Sequence, residues 1–237
     1  QKHPFFHYIA TNAPHGPYRV DPKWAEPYQR NEVNNPNFFG MIANIDHNIG
    51  GLRDHLKDLK LSENTILIFM TDNGTANGVQ LDEDHFVVNG YNGGMRGQKN
   101  SEYDGGHRVP FFMHWPAGNL TGGIDVNTLT ANVDILPTFI ELCGLDSPAD
   151  LAFDGTSIAP RLHQAGQGSQ RDWPDRIMVT DSQRLTDPVK WRKSAVMTDQ
   201  WRLVNGHELF DMTVDPEQRN NIASDHPTVV ERLRQGY

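Results

Sequence analysis

The most regular hydrophobic pattern in the chain lies between residues 36 and 60. Its apolar positions recur at alternating steps of four and three: Phe38, Ile42, Ile45, Ile49, Leu52, Leu56 and Leu59. This spacing places a single apolar stripe along a helix of about six turns. Asn35 suits the N-cap of that helix, and Pro36 suits its first position. Gly50 and Gly51 lower the helix propensity, so we expect close packing or a bend there.

Continuous apolar runs on either side of this helix predict strands. The runs are residues 5–10, 65–70 and 109–115. The run TILIFM at 65–70 shows no polar alternation, and strands buried on both faces have this pattern in parallel sheets that helices cover. It ends at Thr71-Asp72-Asn73-Gly74. Polar groups at the carboxyl end of a central parallel strand lie where ligands bind in open α/β sheets.

The remaining segments of this part predict loops and shorter helices. Residues 11–36 and 74–108 are rich in Gly, Asn and Pro, and we expect long ordered loops there. Residues 134–143 predict a helix with Asp134 as its N-cap and Gly144 as its stop, and residues 157–163 predict a shorter helix. The chain's single cysteine, Cys143, excludes an internal disulfide, and its position on an apolar helix face predicts a packed core residue.

After residue 166 the pattern becomes one of short strands. The strand candidates are 177–180, 195–198, 201–204 and 208–212, and 227–234 predicts a closing helix. Asn205-Gly206 separates two of the strands and is a strong hairpin signal. We therefore predict an α/β fold with a mostly parallel sheet flanked by helices in residues 1–165, and a small antiparallel sheet with one helix in residues 166–237.

Charge and composition narrow the class of protein. The formal net charge of −9 at pH 7 argues against a general nucleic-acid binder, which would carry a basic face. An anionic substrate stays possible, because a site can be locally positive inside an acidic protein. No stretch is long and apolar enough to predict a membrane span. The chain opens at Gln1 directly before an apolar run, and we expect it to be cut from a longer protein.

Four loop segments contain residues suited to chemistry, and each has an ordinary alternative. Asp72 and Asn73 supply adjacent oxygens that suit Ca²⁺ or Mg²⁺, although Asp-Asn-Gly is also a common turn. His15, between Pro14 and Pro17, is either a surface histidine or a rigidly held proton donor. Lys99 and Arg96 are either solvated or fixed positive charges for an anionic group. For Asp104-Gly105-Gly106 we prefer a simple turn.

Taken in their order along the chain, these segments resemble the sulfatase family. That family has a strand leading into an A-P-H loop, a T-D-N-G motif, a Gly-rich R-G-x-K segment and a Y-E-G-G-x-R-V-P stretch. The matching stretches here are PFFHYIATNAPH at 4–15, TDNG at 71–74, RGQK at 96–99 and YDGGHRVP at 103–110. DILPT at 134–138, DGTS at 154–157 and LFDMTVDP at 209–216 resemble the family's later motifs. Asp104 departs from the usual Glu, and we expect this to change only the surroundings of the site.

The resemblance implies an alkaline-phosphatase-like fold and hydrolysis of sulfate esters, with a sulfated small molecule or glycan as substrate. It implies that Asp72 and Asn73 bind Ca²⁺, that Lys99 and His15 are catalytic, and that His15, Lys99 and Arg96 contact the substrate. The family's C/S-x-P-S/A-R motif, whose Cys or Ser becomes the formylglycine nucleophile, does not occur in this sequence. We therefore expect the chain alone to be inactive and to bind Ca²⁺ weakly. Export to the periplasm or the cell exterior is expected from the resemblance.

Two alternatives remain open from the sequence. The first is a phosphodiesterase or phosphonate hydrolase of the same superfamily, which would use a Thr or Ser nucleophile outside the sulfatase motif. The second is a non-catalytic sulfatase-like binding protein, in which an otherwise intact site has lost its nucleophile.

Overall fold

The computed structural model describes residues 3–30, 33–147, 150–164, 173 and 175–237. In these residues the chain forms both helices and strands. The helices are α1 (Pro22–Gln29), α2 (Pro36–Asp58), α3 (Asp104–His107), α4 (Ile135–Cys143), α5 (Ala159–Gln164) and α6 (Pro227–Gln235). The strands are β1 (Leu67–Met70), β2 (Val79–Leu81), β3 (Val87–Gly90), β4 (Phe111–His114), β5 (Met178–Asp181), β6 (Ser194–Met197), β7 (Trp201–Val204) and β8 (Glu208–Asp211).

The long helix α2 confirms the prediction from its apolar stripe and its cap. The Asn35 side chain accepts a hydrogen bond from the backbone N–H of Phe38 at 3.1 Å, which satisfies one of the free donors of the first turn. Of the close packing or bend expected at Gly50 and Gly51, close packing is not found, because a Cβ atom at either position would meet no described atom within 4 Å. The close approach is at Gly40, where a Cβ would lie 2.9 Å from the Ala25 backbone nitrogen.

Helix α1 corrects the prediction of an unbroken loop over 11–36. Asp21 caps it by accepting from the Lys23 N–H at 3.1 Å, and Pro22 occupies its first position. Its Ala25 is buried against the start of α2. The Asp-Pro pair was the signal for this helix, although the prolines and aromatics around it favoured a loop.

The pairing of β1 is antiparallel, not parallel. Its partner is β4, with Leu67 opposite His114 and Met70 opposite Phe111. All four residues of β1 are only partly buried, so the expected strand buried on both faces is not found among the described residues. The predicted strand at 5–10 is also wrong. That segment pairs with no described strand, and Phe6 and Tyr8 are exposed.

The predicted loop over 74–108 contains the hairpin β2–β3 and the short helix α3. Asp82 builds the hairpin turn, because one of its carboxylate oxygens accepts from the N–H groups of Asp84 and Phe86. The acidic residues at 82–84 therefore form the exposed tip of this hairpin.

The C-terminal part confirms the predicted antiparallel sheet with one helix. Its strands lie in the order β5-β6-β7-β8. One face packs on α6 through a cluster of buried residues: Val196, Leu203, Leu209, Val230 and Leu233. The opposite face packs on Tyr103, which belongs to the loop preceding α3. The sheet therefore lies between its own helix and the loop region 96–107.

Two details near α4 correct the sequence analysis. Asp134 stands at the N-cap position, but its side chain does not cap the helix and instead forms a two-pronged ion pair with Arg176, at 2.8 and 3.0 Å. Cys143 is exposed rather than packed in the core. The predicted division of the chain at 165/166 lies outside the described residues. No described helix has the length and hydropathy that a membrane span requires.

Candidate active site

Three backbone hydrogen bonds join three of the four predicted site segments. The Gly74 N–H donates to the Gly106 carbonyl at 3.0 Å, and the Gly105 N–H donates to the Arg96 carbonyl at 2.8 Å. The Lys99 N–H donates to the Thr75 carbonyl at 2.8 Å. The loop after β1, the loop before α3 and α3 itself therefore form one backbone-bonded unit.

Glycine is needed where these segments touch. A Cβ atom at Gly74 would overlap the carbonyl oxygen of Gly105, and a Cβ at Gly105 would overlap the carbonyl of Gly97. Both neighbours are backbone atoms that cannot rotate away. The glycines of the TDNG and YDGG motifs thus let three loops approach at backbone distance. Interpreting each motif by itself as a turn does not predict this contact.

Asp72 and Asn73 stand at the carboxyl end of β1, where they can offer oxygens to a cation. The Asp72 carboxylate is exposed, and the Asn73 Nδ2 donates to its Oδ1 at 2.8 Å. Because the amide nitrogen makes that bond, the Asn73 amide oxygen is not used in it. The pair fits part of a Ca²⁺ shell, which takes six to eight oxygen ligands. No group of three or more acidic, His or Cys side chains suited to a metal occurs in the described residues.

Lys99 is partly buried and lines a pocket of about 150 Å³ between the β2–β3 hairpin and the C-terminal sheet region. No carboxylate lies within ion-pair distance of its ammonium group in the described part of the chain. Its charge is therefore available to an anionic ligand. A larger pocket of about 340 Å³, between residues 113–126 and α5, contains none of the predicted site residues.

His15 is exposed on a loop whose two X-Pro bonds, before Pro14 and Pro17, are cis. Its Nδ1 lies 2.8 Å from the Gly16 carbonyl, which can only accept, so Nδ1 carries a proton and Nε2 is the atom left to exchange one. The structure shows no hydrogen bond from the His15 ring to Lys99, Asp72 or Asn73 within the residues that it describes. It therefore does not join His15 to the other three segments.

Arg96 is held by the protein itself. Its guanidinium lies 3.9 Å from the Tyr103 ring centroid and 4.6 Å from that of Phe86. Its Nε and one terminal nitrogen donate to the carbonyls of Asp84 and Gln218, at 2.8 and 3.1 Å. These contacts tie the hairpin and the C-terminal segment to the site loops. A contact between Arg96 and the substrate remains a prediction.

Asp104 is a buried structural residue of the site, and the preferred sequence interpretation as a simple turn did not predict its contacts. It begins helix α3 rather than a simple turn, and it is fully buried. Arg202 of β7 donates to its carboxylate at 3.1 Å, and His107 Nε2 lies 3.5 Å away. Burial alone would raise the pKa of Asp104, but His107, Arg202 and Arg108 outweigh it and hold that pKa below its ordinary value. The only signal in the sequence was its place in the YDGG stretch.

A loop after a strand that offers oxygens to a cation, bonded through its backbone to a loop with an available lysine charge, is an arrangement that metal-assisted hydrolases of anionic esters use. The family models agree and are more specific. The model described as Sulfatase matches residues 1–145, and the one described as N-sulphoglucosamine sulphohydrolase, C-terminal, matches residues 97–235. The chain belongs to the sulfatase family.

Known sulfatases resemble the chain over much of its length. An N-acetylgalactosamine-6-O-sulfatase of Bacteroides thetaiotaomicron is 28% identical over 98% of this chain and 46% of its own length. The human N-acetylgalactosamine-6-sulfatase is 33% identical over 68% of this chain and 29% of its own length. The chain thus spans less than half the length of these relatives.

A solved structure matches the fold of the whole chain with about half of its own length. The crystal structure of Ps i-CgsB in complex with k-i-k-neocarrahexaose matches 100% of this chain and 49% of its own, with a TM-score of 0.81 and 24% identity. The chain therefore has the alkaline-phosphatase-like sulfatase fold, with mixed helices and sheets and a small antiparallel sheet.

Proposed function

We propose that this chain forms the sulfate-binding part of an enzyme that hydrolyses sulfate esters of carbohydrates. The observation that carries the proposal is the backbone-bonded unit that fixes Asp72 and Asn73 in the same set of loops as Lys99. Two of the relatives that the chain resembles are named for sulfated N-acetylgalactosamine. A sulfated glycan is therefore the substrate class that we infer.

The proposed roles follow from charge and position. Asp72 and Asn73 would hold a Ca²⁺ ion, which in sulfatases draws electron density from the sulfate group. Lys99 would place its ammonium against sulfate oxygens, where a fixed positive charge stabilises the negative charge that develops during cleavage. His15 would deliver a proton from Nε2 to the departing sugar oxygen. Arg96 would contact the substrate only at the edge of its site between the Phe86 and Tyr103 rings.

The proposal includes features that the described residues do not contain. They are the formylglycine nucleophile, further metal ligands, and the remaining strands of a mostly parallel sheet. It also includes a division of the chain into a larger α/β part, residues 1–165, and a smaller C-terminal part, residues 166–237. Location in the periplasm or outside the cell belongs to the same proposal.

The test is sulfate release by the gene product that contains this chain, with sulfated N-acetylgalactosamine and an aryl sulfate as substrates. We expect Ca²⁺-dependent turnover that a chelator abolishes. Lys99→Ala should lower kcat by about 10²- to 10³-fold, the usual loss for one preorganised group at a developing oxyanion. Lys57→Ala removes an equal charge from an exposed position on α2 and should leave kcat unchanged.

Other outcomes would redirect the proposal. Turnover of phosphodiesters in preference to sulfate esters would indicate a phosphohydrolase of the same superfamily. Ligand binding without turnover would indicate a non-catalytic binding protein. The 237-residue chain by itself should show no turnover, because positioning and charge without a nucleophile do not complete the reaction. Measurable sulfatase activity of that chain would contradict this view.

A further inference from the structure

The pocket beside Lys99 has a second wall from the C-terminal part of the chain. Its lining includes His85 of the hairpin, Lys99, Asn100 and Lys193. Lys193 lies directly before β6, at the end of the connection from β5. The Ser182 N–H donates to the Lys193 carbonyl at 2.9 Å and closes this connection into a loop of residues 182–193. The two ends of the loop are therefore hydrogen-bonded to each other beside the pocket.

Two cations of the 182–193 loop are anchored on the residue that follows Lys99. Lys193 Nζ donates to the Asn100 carbonyl at 3.3 Å, and a terminal nitrogen of Arg184 donates to the Asn100 side-chain oxygen at 3.0 Å. The Ser182 hydroxyl donates to the carbonyl of Ser101 at 3.2 Å. These contacts bring Arg184 and Lys193 to the Lys99 loop from more than 80 residues away in the chain.

The charge of these side chains is not neutralised within the described residues. Neither Arg184, Lys193 nor Lys99 has a described carboxylate within 4.0 Å, although the chain carries 30 acidic residues against 21 Lys and Arg. Glu102 is the acidic residue of the pocket wall, and one of its oxygens accepts from Asn205 at 3.0 Å. In a protein with an excess of acids, three cations on loops that meet at Asn100, with no described carboxylate in ion-pair distance, indicate a place for an anion.

We propose that Arg184 and Lys193 form a second anion subsite, next to the sulfate position at Lys99, for another anionic group of the same glycan. The inference rests on the proposed function, because it places the first sulfate at Lys99. The second group is a sulfate or a carboxylate, and both suit a guanidinium beside an ammonium. The enzyme would then prefer glycans with two anionic groups over monosulfated sugars.

The experiment compares the double variant Arg184→Gln/Lys193→Gln with the unaltered gene product. The substrates are a monosulfated N-acetylhexosamine, a disulfated one, and a monosulfated disaccharide that carries a uronic acid. We expect the ratio of kcat/KM for the doubly anionic substrates over the monosulfated one to fall about tenfold, at the scale of two exposed charge contacts. Whichever doubly anionic substrate loses more identifies the second group as sulfate or carboxylate.

A matched double variant controls for net charge. Lys57→Gln/Arg192→Gln also removes two positive charges, and neither residue lines the pocket, although Arg192 is the immediate neighbour of Lys193. It should leave the ratio unchanged. An equal fall of the ratio in both double variants, or no fall in either, would overturn the subsite.

A binding measurement separates this inference from the proposed function. The disulfated N-acetylhexosamine is titrated into the 237-residue chain and followed by NMR, with inorganic sulfate as the comparison. We expect shifts at the amides of 98–102 and 182–193, with affinity weakened about tenfold in Arg184→Gln/Lys193→Gln. If the gene product releases no sulfate while this binding persists, the proposed function fails and the anion subsite stands. Binding that the double variant does not change overturns the subsite.

Discussion

The two sheets that flank the site loops differ in how far their side chains are buried. In the C-terminal sheet every residue of β6 is buried, and Leu203 and Leu209 are fully enclosed. In the β1–β4 pair no residue of β1 is fully buried, and Phe112 is 65% exposed. Described residues cover both faces of the C-terminal sheet, whereas they do not cover both faces of the β1–β4 pair.

The difference indicates how the site loops are supported. The loops 96–107 bond the loop after β1 on one side and pack on the C-terminal sheet on the other. Among the described residues, side-chain hydrogen bonds cross from these loops to the C-terminal region but not to the loop after β1. Arg202 meets Asp104, the Tyr103 hydroxyl donates to Glu208 at 2.7 Å, and the Gln218 side chain accepts from the Asp104 N–H at 2.9 Å. The C-terminal region therefore anchors the end of these loops at Tyr103 and Asp104, a few residues after Lys99.

The sharpest test of this comparison is truncation in the two sheets. Leu209→Ala should lower the free energy of unfolding by about 4 kcal/mol, because it removes a fully buried side chain and leaves a cavity. Phe112→Ala should cost less than about 1 kcal/mol, although it removes more atoms, because that ring is largely exposed. Urea unfolding of both variants of the 237-residue chain measures the difference. Similar losses would show that the two sheets are equally packed.

The next test breaks the connection between the sheet and the site. Asp104→Asn removes the buried charge but keeps the side-chain size, so Arg202 loses its ion pair while its bonds to the carbonyls of Thr198 and Trp201 remain. Loss of one partner of a buried pair should cost about 3 kcal/mol, at the lower end of such changes because those two bonds remain. Asp125→Asn, at an exposed position, should cost almost nothing.

The same pair predicts how this loss depends on pH. The pKa of Asp104 is lower in the folded protein than its ordinary value of 3.8. Its contribution to stability is therefore fully present above that ordinary value and disappears as the pH falls through the lower, folded pKa. The gap in unfolding free energy between Asp104→Asn and the unaltered chain should be constant from pH 7 to about 5 and should shrink only in stronger acid. A gap that already shrinks between pH 7 and 6 would contradict the assignment of this contribution to the Asp104 carboxylate.

The elements that the sequence predicted best are those with a local signal. The apolar stripe and the Asn35 cap of α2, and the Asn205-Gly206 turn between β7 and β8, act over a few residues, and both elements were confirmed. The antiparallel pairing of β1 could not be predicted from such a local signal. A run of apolar residues shows that a strand is shielded from water, but it does not show which strand lies beside it or in which direction.

The site was predictable as a set of residues but not as an arrangement. The order of the motifs named Asp72, Asn73 and Lys99, whose roles stay predictions. The contacts that unite these segments are backbone bonds and glycine contacts, which residue type does not encode. Asp104 and Arg202 are 98 positions apart, so their ion pair has no local signature. Arg184 and Lys193 were missed for the same reason.

The smallest expected effect tests whether helix α2 is stable independently of the C-terminal sheet. Asn35→Ala removes the cap of α2 and should cost about 1 kcal/mol. Asn48→Ala makes the same substitution at an exposed position inside that helix, where alanine's higher helix propensity should stabilise it by roughly 0.5 kcal/mol. Amide hydrogen exchange along α2 should therefore accelerate in the first variant and slow in the second. Because neither asparagine touches the C-terminal sheet, exchange in β6–β8 should not change in either. If Asn35→Ala also accelerates exchange there, α2 and the C-terminal sheet unfold as one unit. The two parts would then differ in packing but not in local stability.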